Sequence, residues 1–324
     1  MLNENTQNAG QGKLCAALEK CGHYQKFRAA LDKCEHYQKF KAYCVKVLAL
    51  SNDSLEKTIA IAVALCLVCA VLVSMAAVAL RPLQVNNKEL DMKRNILDVA
   101  GLLTEGSDID KAFAERIESK LVNLETGDYV DSMNADEYDQ RKAAKDPAQS
   151  VAIPKDKDIA HIRVKAKVAK VFLVKEGGAI KSIILPINGY GLWSTLYGFL
   201  SLDPDGQTVQ SINFYDQAET PGLGGEVVNP AWRALWKGKK VYAETDQPSL
   251  EKGLIEEADI GEPALSLIKG AVDNTKPGSE YQVDGLAGAS LTSTGVTNLI
   301  RYWMSKEGFA PYLAKVRTVK GAKS

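Results

Sequence analysis

From Thr58 to Leu80 the chain reads "TIAIAVALCLVCAVLVSMAAVAL", 23 residues without a charged side chain. No other stretch restricts the fold as tightly. As a helix it would extend ~35 Å at about 1.5 Å per residue, enough to cross a hydrocarbon core about 30 Å thick. A secretory signal fits poorly, because 57 residues precede the run and its apolar part is too long for the core of a signal peptide. A buried soluble helix would need apolar neighbours on every side, since the run is apolar all round. The sequence predicts a single transmembrane anchor at 58–80.

Local charge does not orient that anchor. Within twenty residues on the N-terminal side lie Lys39, Lys41, Lys46 and Lys57, and on the other side Arg81, Lys88, Lys93 and Arg94. The segment that follows is long, and long segments weigh little in the positive-inside rule. The short N-terminal segment, with nine Lys and Arg, dominates and predicts a cytoplasmic N-terminus with the large domain outside. Over the whole chain, 40 basic and 40 acidic residues cancel, so no global field recruits nucleic acid or anionic lipid. A nucleic-acid partner is not expected.

Residues 1–57 hold a near repeat, "CGHYQKFRAALDK" from Cys21 and "CEHYQKFKAY" from Cys34. Cys15, Cys21, Cys34 and Cys44 with His23 and His36 raise the question of zinc. The 13-residue period argues against it, because thirteen helical steps leave the two Cys-x-His pairs about 220° apart around the axis. A duplicated amphipathic segment is the reading adopted, its thiols kept reduced by a cytoplasmic location. Cys66 and Cys69 share one face of the anchor and read as small, polarizable packing residues. A membrane iron site there would need ligands from another chain.

Beyond Arg81-Pro82, residues 85–103 have helical spacing and predict a juxtamembrane helix, and 121–150 reads as a polar surface loop. From Ile159 the pattern becomes strand-like, with a turn at Glu176-Gly177-Gly178, and "QTVQSINFYD" is another strand. "NPAWRALWKGK" places Asn229 as an N-cap and Pro230 at the first helical position. A last helical region carries Val296, Leu299, Ile300 and Trp303 on one face. Strands and helices mixed without strict βαβ order predict an α+β fold. The expected organisation is an extension at 1–57, the anchor at 58–80, a helical and loop region at 81–150, and a domain at 151–324.

The chemistry-bearing parts are few. His161, at the start of a strand, is the one histidine after the anchor and reads as a solvated or satisfied side chain. No metalloprotease, phosphate-loop or paired Cys-x-x-Cys motif occurs, and no cysteine follows Cys69, so hydrolase and metalloenzyme readings lack parts. Three segments remain. "NGYGLWSTLYGFLSLDPDG" (188–206) mixes glycine with aromatics, suiting close approach to a flat ligand or a packed hairpin. "FYDQAETPGLGGEVV" (214–228) is a tight turn or a ligand edge. "DGLAGASLTSTGVT" (284–297) sets Ser290, Thr292, Ser293 and Thr294 at the start of a helix. Exposed N–H groups and the positive end of the helix dipole make such a place a phosphate cradle. An over-furnished N-cap is the equal alternative from these residues alone.

"NGYGLWSTLYGFLSLDPDG", "FYDQAETPGLGGEV", "DGLAGASLTSTGV" and "GFAPYLAKVR", in this order, resemble the C subunits of sodium-translocating NADH:quinone oxidoreductases. The resemblance runs from about the anchor to Val319 and leaves out residues 1–57. It implies an FMN-binding domain of mixed strands and helices on the periplasmic side of the bacterial inner membrane, behind one N-terminal transmembrane helix. It also implies FMN attached covalently through its phosphate. The attachment motif of the family runs Asp, two variable residues, Ser or Thr, Gly, Ala, then the acceptor, usually Thr.

Laid on this chain, Asp284 is the acid, Ala287 takes the Ser/Thr position without a hydroxyl, Gly288-Ala289 match, and Ser290 is the acceptor. A serine oxygen can form the same phosphoester, losing only the methyl that stiffens the rotamer. Thr292 is the rival acceptor, two residues out of register. Gly288, Ala289, Leu291 and Thr292 would shape the phosphate site, and Glu219, Thr220, Leu223 and Gly224 would border the flavin. Trp193 is assigned either to the ring or to the core. No side chain is expected to act as a catalytic acid or base, and no protein-bound metal is expected.

The implied function is a membrane-anchored flavoprotein component relaying electrons between a membrane iron centre and a flavin on the B subunit, within a sodium-pumping complex. Implied partners are the other subunits, especially those designated B, D and E, and an FMN transferase during maturation. Two other readings stay open at this point. One is the equivalent flavoprotein component of an ion-translocating ferredoxin:NAD oxidoreductase. The other is a flavin-free, membrane-anchored scaffold.

Overall fold

A computed structural model describes residues 34–104, 106–243 and 261–321. The chain divides into two units, Met1–Gln84 and Val85–Ser324. In the first unit, helix α1 (Glu35–Leu48) begins after Cys34, whose backbone is extended. Helix α2 (Leu55–Val99) starts in this unit and contains the uncharged run. Its side chains from Ile61 to Leu83 lie exposed, and among the described residues it is the one helix long and apolar enough to cross a membrane. Cys34, Cys44, Cys66 and Cys69 are free thiols. Of the cysteine and histidine set, Cys15, Cys21 and His23 lie outside the described residues, and His36 lies on α1.

The anchor expected at 58–80 and the juxtamembrane helix expected from 85 lie on the same helix. One helix runs through Pro82 to Val99. A proline removes one backbone hydrogen bond and crowds the preceding turn. The flanking Leu80, Arg81, Leu83 and Gln84 are all good helix formers, and no glycine stands nearby to end the helix.

The second unit is built on one antiparallel sheet. Its strands are β1 (Ile117–Asn123), β4 (Val168–Glu176), β5 (Ala179–Tyr190), β6 (Thr195–Leu202) and β7 (Val209–Asp216), lying in that order. Two short strands, β2 (Ser150–Ala152) and β3 (Val164–Ala166), pair separately. β4 and β5 turn at Gly177-Gly178 as the sequence predicts, with Phe172 opposite Ile184. β1 was not expected. Ile117 to Asn123 pair with Val174 to Val168, so part of the region read as helix and loop is an edge strand of the main sheet. Leu121, Val122 and Leu124 are buried. Helix α3 (Ile109–Arg116) precedes β1, and the short helix α4 (Gln140–Ala143) follows it.

Both faces of the sheet are covered, which is why β4 and β5 carry continuous apolar runs such as "VFLV" and "IIL". One face buries Val171, Leu173, Ile183, Leu185, Ile187, Leu196 and Leu200. They pack in one cluster with Val296, Leu299, Ile300 and Trp303 of helix α6 (Ser290–Met304) and with Phe309 and Leu313 around the start of helix α7 (Ala310–Gly321). The other face buries Phe172, Val174, Ile184 and Phe199 against Ile96, Leu97 and Val99. Each such side chain contributes about 1.5–3 kcal/mol relative to exposure. The residues between β7 and α6 include helix α5 (Pro230–Ala234) and the parallel pair β8 (Ser266–Ile268) and β9 (Gln282–Asp284). β9 delivers the chain into the turn that starts α6. The fold is α+β, as expected.

Candidate functional site

Three segments converge at the start of α6. The first is the loop from Gly191 to Ser194 between β5 and β6. The second is the loop after β7, running through Glu219 into the short 3₁₀ turn Gly224–Val228. The third is the turn 285–289 with the first helical residues. Wherever these segments meet, a carboxylate lies between them.

The Glu219 side chain is buried, at 4% exposure. Its Oε1 accepts hydrogen bonds from the Trp193 and Ser194 N–H groups, each at 3.0 Å, and from the Ser194 hydroxyl at 3.1 Å. Its Oε2 accepts from Thr292 Oγ1 at 2.8 Å, and the Leu192 N–H lies 3.2 Å from both oxygens. Burial alone would push this carboxyl up. Hydrogen bonds from Trp193, Thr292, Ser194 and Leu192 outweigh it and hold the group below the usual carboxylate range, ionised at neutral pH.

Close approach is possible because two positions lack a Cβ. A Cβ on Gly191 would fall 2.7 Å from Glu219 Oε1, and one on Gly224 would fall 2.5 Å from Thr292 Oγ1. Both distances are well inside van der Waals contact, so any larger residue would force the segments apart.

The four hydroxyls at the helix start have different fates. Thr292 is buried and donates to Glu219. Ser293 Oγ accepts from the Leu286 N–H at 2.9 Å and donates to the Ala289 carbonyl at 3.0 Å, latching the turn. Thr294 is exposed and donates to the Ser290 carbonyl at 3.0 Å. Ser290, the first residue of the helix, is exposed, and its hydroxyl makes no hydrogen bond among the described residues.

The helix start is also open. The N-cap is Ala289, which offers no capping side chain. The first intrahelical bond is donated by Ser293 to Ala289, leaving the N–H groups of Ser290, Leu291 and Thr292 without intrahelical acceptors. Open donors, the positive dipole end and a free hydroxyl together fit a phosphate group. The donor set therefore suits the phosphate of a mononucleotide such as FMN.

The remaining sequence-predicted residues take the following places. Gly288 is exposed, in the left-handed region, with Leu223 beside it, and Ala289 is buried. Leu291 is 63% exposed and Leu223 43%. Thr220 is exposed and Gly224 buried. Trp193 is 68% exposed, which removes the core assignment for it. His161 is exposed, as expected. Reading the sequence missed the part played by Gly191, Leu192 and Ser194, although the glycine and the hydroxyl of "GLWS" were visible in it. It also missed Ser293 as the latch of the turn.

Residues 191–305 match the FMN-binding domain family, a span that takes in all three converging segments. The C subunit of the Na(+)-translocating NADH-quinone reductase of Vibrio vulnificus is 47% identical over 267 residues, covering 82% of this chain and 97% of that protein. The chain belongs to the C-subunit family of Na(+)-translocating NADH-quinone reductases. The corresponding Pseudomonas aeruginosa protein is 45% identical over 270 residues, covering 82% of this chain and 98% of its own length.

Among solved structures, Shewanella oneidensis NqrC superposes with a TM-score of 0.62 at 31% identity, covering 71% of this chain and 99% of that one. As a member of the C-subunit family, the chain is an FMN-binding flavoprotein component of a multi-subunit oxidoreductase. Membership selects the NADH-quinone reductase reading over the ferredoxin:NAD relative, and the FMN-binding domain speaks against a flavin-free scaffold.

Proposed function

We propose that the chain carries FMN as a phosphoester on Ser290 Oγ, and that this flavin relays electrons inside the complex. The observation that carries the reading is the sorting of hydroxyls. Thr292 and Ser293 are buried and committed, Thr294 is turned to a carbonyl, and Ser290 alone of the four is both exposed and free. The family motif, counted from Asp284, arrives at the same residue.

Bound there, FMN supplies reversible redox chemistry. The chain's own residues have holding roles. Ser290 is the tether, and the open N–H groups of the first turn donate to phosphate oxygens. Leu291 and Leu223 offer apolar surface beside the tether, with Thr220 at its rim. In attachment, Ser290 Oγ would be the nucleophile toward the flavin-side phosphorus of a phosphoanhydride-activated flavin nucleotide. The serine O–P bond would replace the anhydride P–O bond, with the hydroxyl proton leaving with the released nucleotide monophosphate. No electrons change hands in that step.

The reading places residues 58–80 of α2 across the bacterial inner membrane, with the N-terminus cytoplasmic and the large domain periplasmic. The B, D and E subunits are its neighbours, and an FMN transferase loads it. All six cysteines lie at or before Cys69, so a membrane-impermeant thiol reagent should label none of them in intact spheroplasts. Labelling before lysis would reverse the orientation.

Flavin fluorescence in a denaturing gel tests the tether. Wild-type chain matured with the transferase should fluoresce and Ser290→Ala should be dark. Equal fluorescence in the two would place the flavin elsewhere.

A further inference from the structure

We infer that Glu219 and Thr292 form a positioning pair that turns the Ser290 hydroxyl outward and sets the first turn of α6 for attachment. The inference rests on Ser290 being the acceptor, and it gives Glu219 and Thr292 a role other than flavin contact.

Geometry supplies the first argument. Successive residues of a helix are about 100° apart, so Ser290 and Thr292 lie about 160° apart around the axis. Burying Thr292 on one side therefore faces Ser290 to the opposite side. Thr292 is 1% exposed while Ser290 is exposed, as this requires. Locally, Ser293 latches the preceding turn to the helix start, which has no capping side chain to set that rotation. The 2.8 Å bond from Thr292 Oγ1 to Glu219 Oε2 fixes it from a distance of 73 positions in the chain.

Saturation supplies the second. A carboxylate has about four lone-pair sites. Those of Glu219 are taken by three backbone N–H groups and two hydroxyls, all from this chain. Ser194, one of those donors, itself accepts from the Ala218 N–H at 2.8 Å, and the Glu219 N–H is held by Gln217 Oε1 at 2.7 Å. The carboxylate has no capacity left for a ligand. Its negative charge also lies at the favourable end of the α6 dipole. Removing one donor leaves part of a buried charge unpaired, which disturbs every segment the carboxylate joins.

The test uses full-length chain in detergent with FMN transferase and FAD as the phosphoanhydride donor, measuring initial rates of flavin incorporation against chain concentration. Thr292→Val keeps the shape and loses the hydroxyl. Its saturating rate should fall about tenfold, as a displaced reacting group requires, with the half-saturating chain concentration unchanged. Thr292→Ser restores the hydroxyl and should recover the rate to within about twofold. Glu219→Gln, of nearly the same shape, should slow incorporation as well. Thr292→Val at the wild-type rate, or Thr292→Ser as slow as Thr292→Val, would overturn the pair.

A flavin-free readout separates this from the acceptor reading. Amide exchange at Leu192, Trp193 and Ser194 should quicken about tenfold in Thr292→Val and stay at the wild-type rate in Thr292→Ser. Unchanged exchange in Thr292→Val would overturn the pair even if Ser290 proved correct. Persistent fluorescence in Ser290→Ala would remove the acceptor reading while leaving the exchange result to stand by itself.

Discussion

Two helices of the second unit begin in opposite ways. At α5, Asn229 caps the helix with its own side chain, accepting from the Ala231 N–H at 2.9 Å, and Pro230 occupies the first turn. At α6 the cap is an alanine, the first turn holds no acidic residue, and the fixing bond comes from Glu219 in another loop. The first start is closed by local sequence. The second is held by tertiary contact and left open toward solvent. A helix terminus that only has to be stable is finished locally, whereas open donors such as those at α6 are what phosphate binding at a terminus requires.

The largest break in this contrast should come from Gly224→Ala. The new Cβ would meet Thr292 Oγ1 at 2.5 Å and Glu219 Oε2 at 2.8 Å. Overpacking of this kind costs about 1–3 kcal/mol. Denaturant unfolding of the variant should show that loss together with reduced flavin incorporation, because the clash falls on the tertiary support of α6.

Asn229→Ala is the matching change at the other start. Loss of the cap should cost about 1 kcal/mol, visible in the same unfolding measurement, with flavin incorporation at the wild-type level. A drop in incorporation there would mean that the two starts are not independent.

Ala289→Asp would convert the open start into a closed one. The new carboxylate would accept from first-turn N–H groups, but the position is buried in the apolar cluster, so no net stabilisation is expected. It should lower flavin incorporation, because those donors and the dipole end are no longer free for phosphate.

The smallest effect is a response to acid. The Glu219 carboxyl is held below its ordinary range in the folded chain, so its contribution is complete above the unfolded value, about 4.3. It is lost as pH falls through the lower folded value. The stability difference between wild type and Glu219→Gln should be flat from about pH 7 to 5 and shrink below about 4. The Asn229 cap is an amide and should show no such dependence.

The same contrast explains what was legible in the sequence. The Asn229 cap, the Gly177-Gly178 turn and the apolar face of α6 each depend on neighbours a few residues away, and each was read correctly. The bond between Glu219 and Thr292 joins residues 73 apart, and nothing local in "ETPGLG" or "LTST" pairs them. The strand Ile117–Asn123 was missed for a related reason. "IESKLVN" is short, with two charges among its first four residues, and it becomes a strand by pairing with Val168–Val174 across the sheet. The anchor and the juxtamembrane helix were read as separate segments from their composition, and the structure joins them in one helix through Pro82. The proposed acceptor, Ser290, follows from the register of the attachment motif counted from Asp284, which does not depend on a hydroxyl at Ala287.

The most direct test is fragment mass spectrometry of the peptide spanning Asp284 to Arg301 from chain matured with the transferase. The account predicts one FMN phosphoester, with the fragment series placing it on Ser290 and leaving Thr292, Ser293 and Thr294 unmodified. An adduct on Thr292 would contradict it, because that hydroxyl would then have to leave Glu219 and the buried side of the helix.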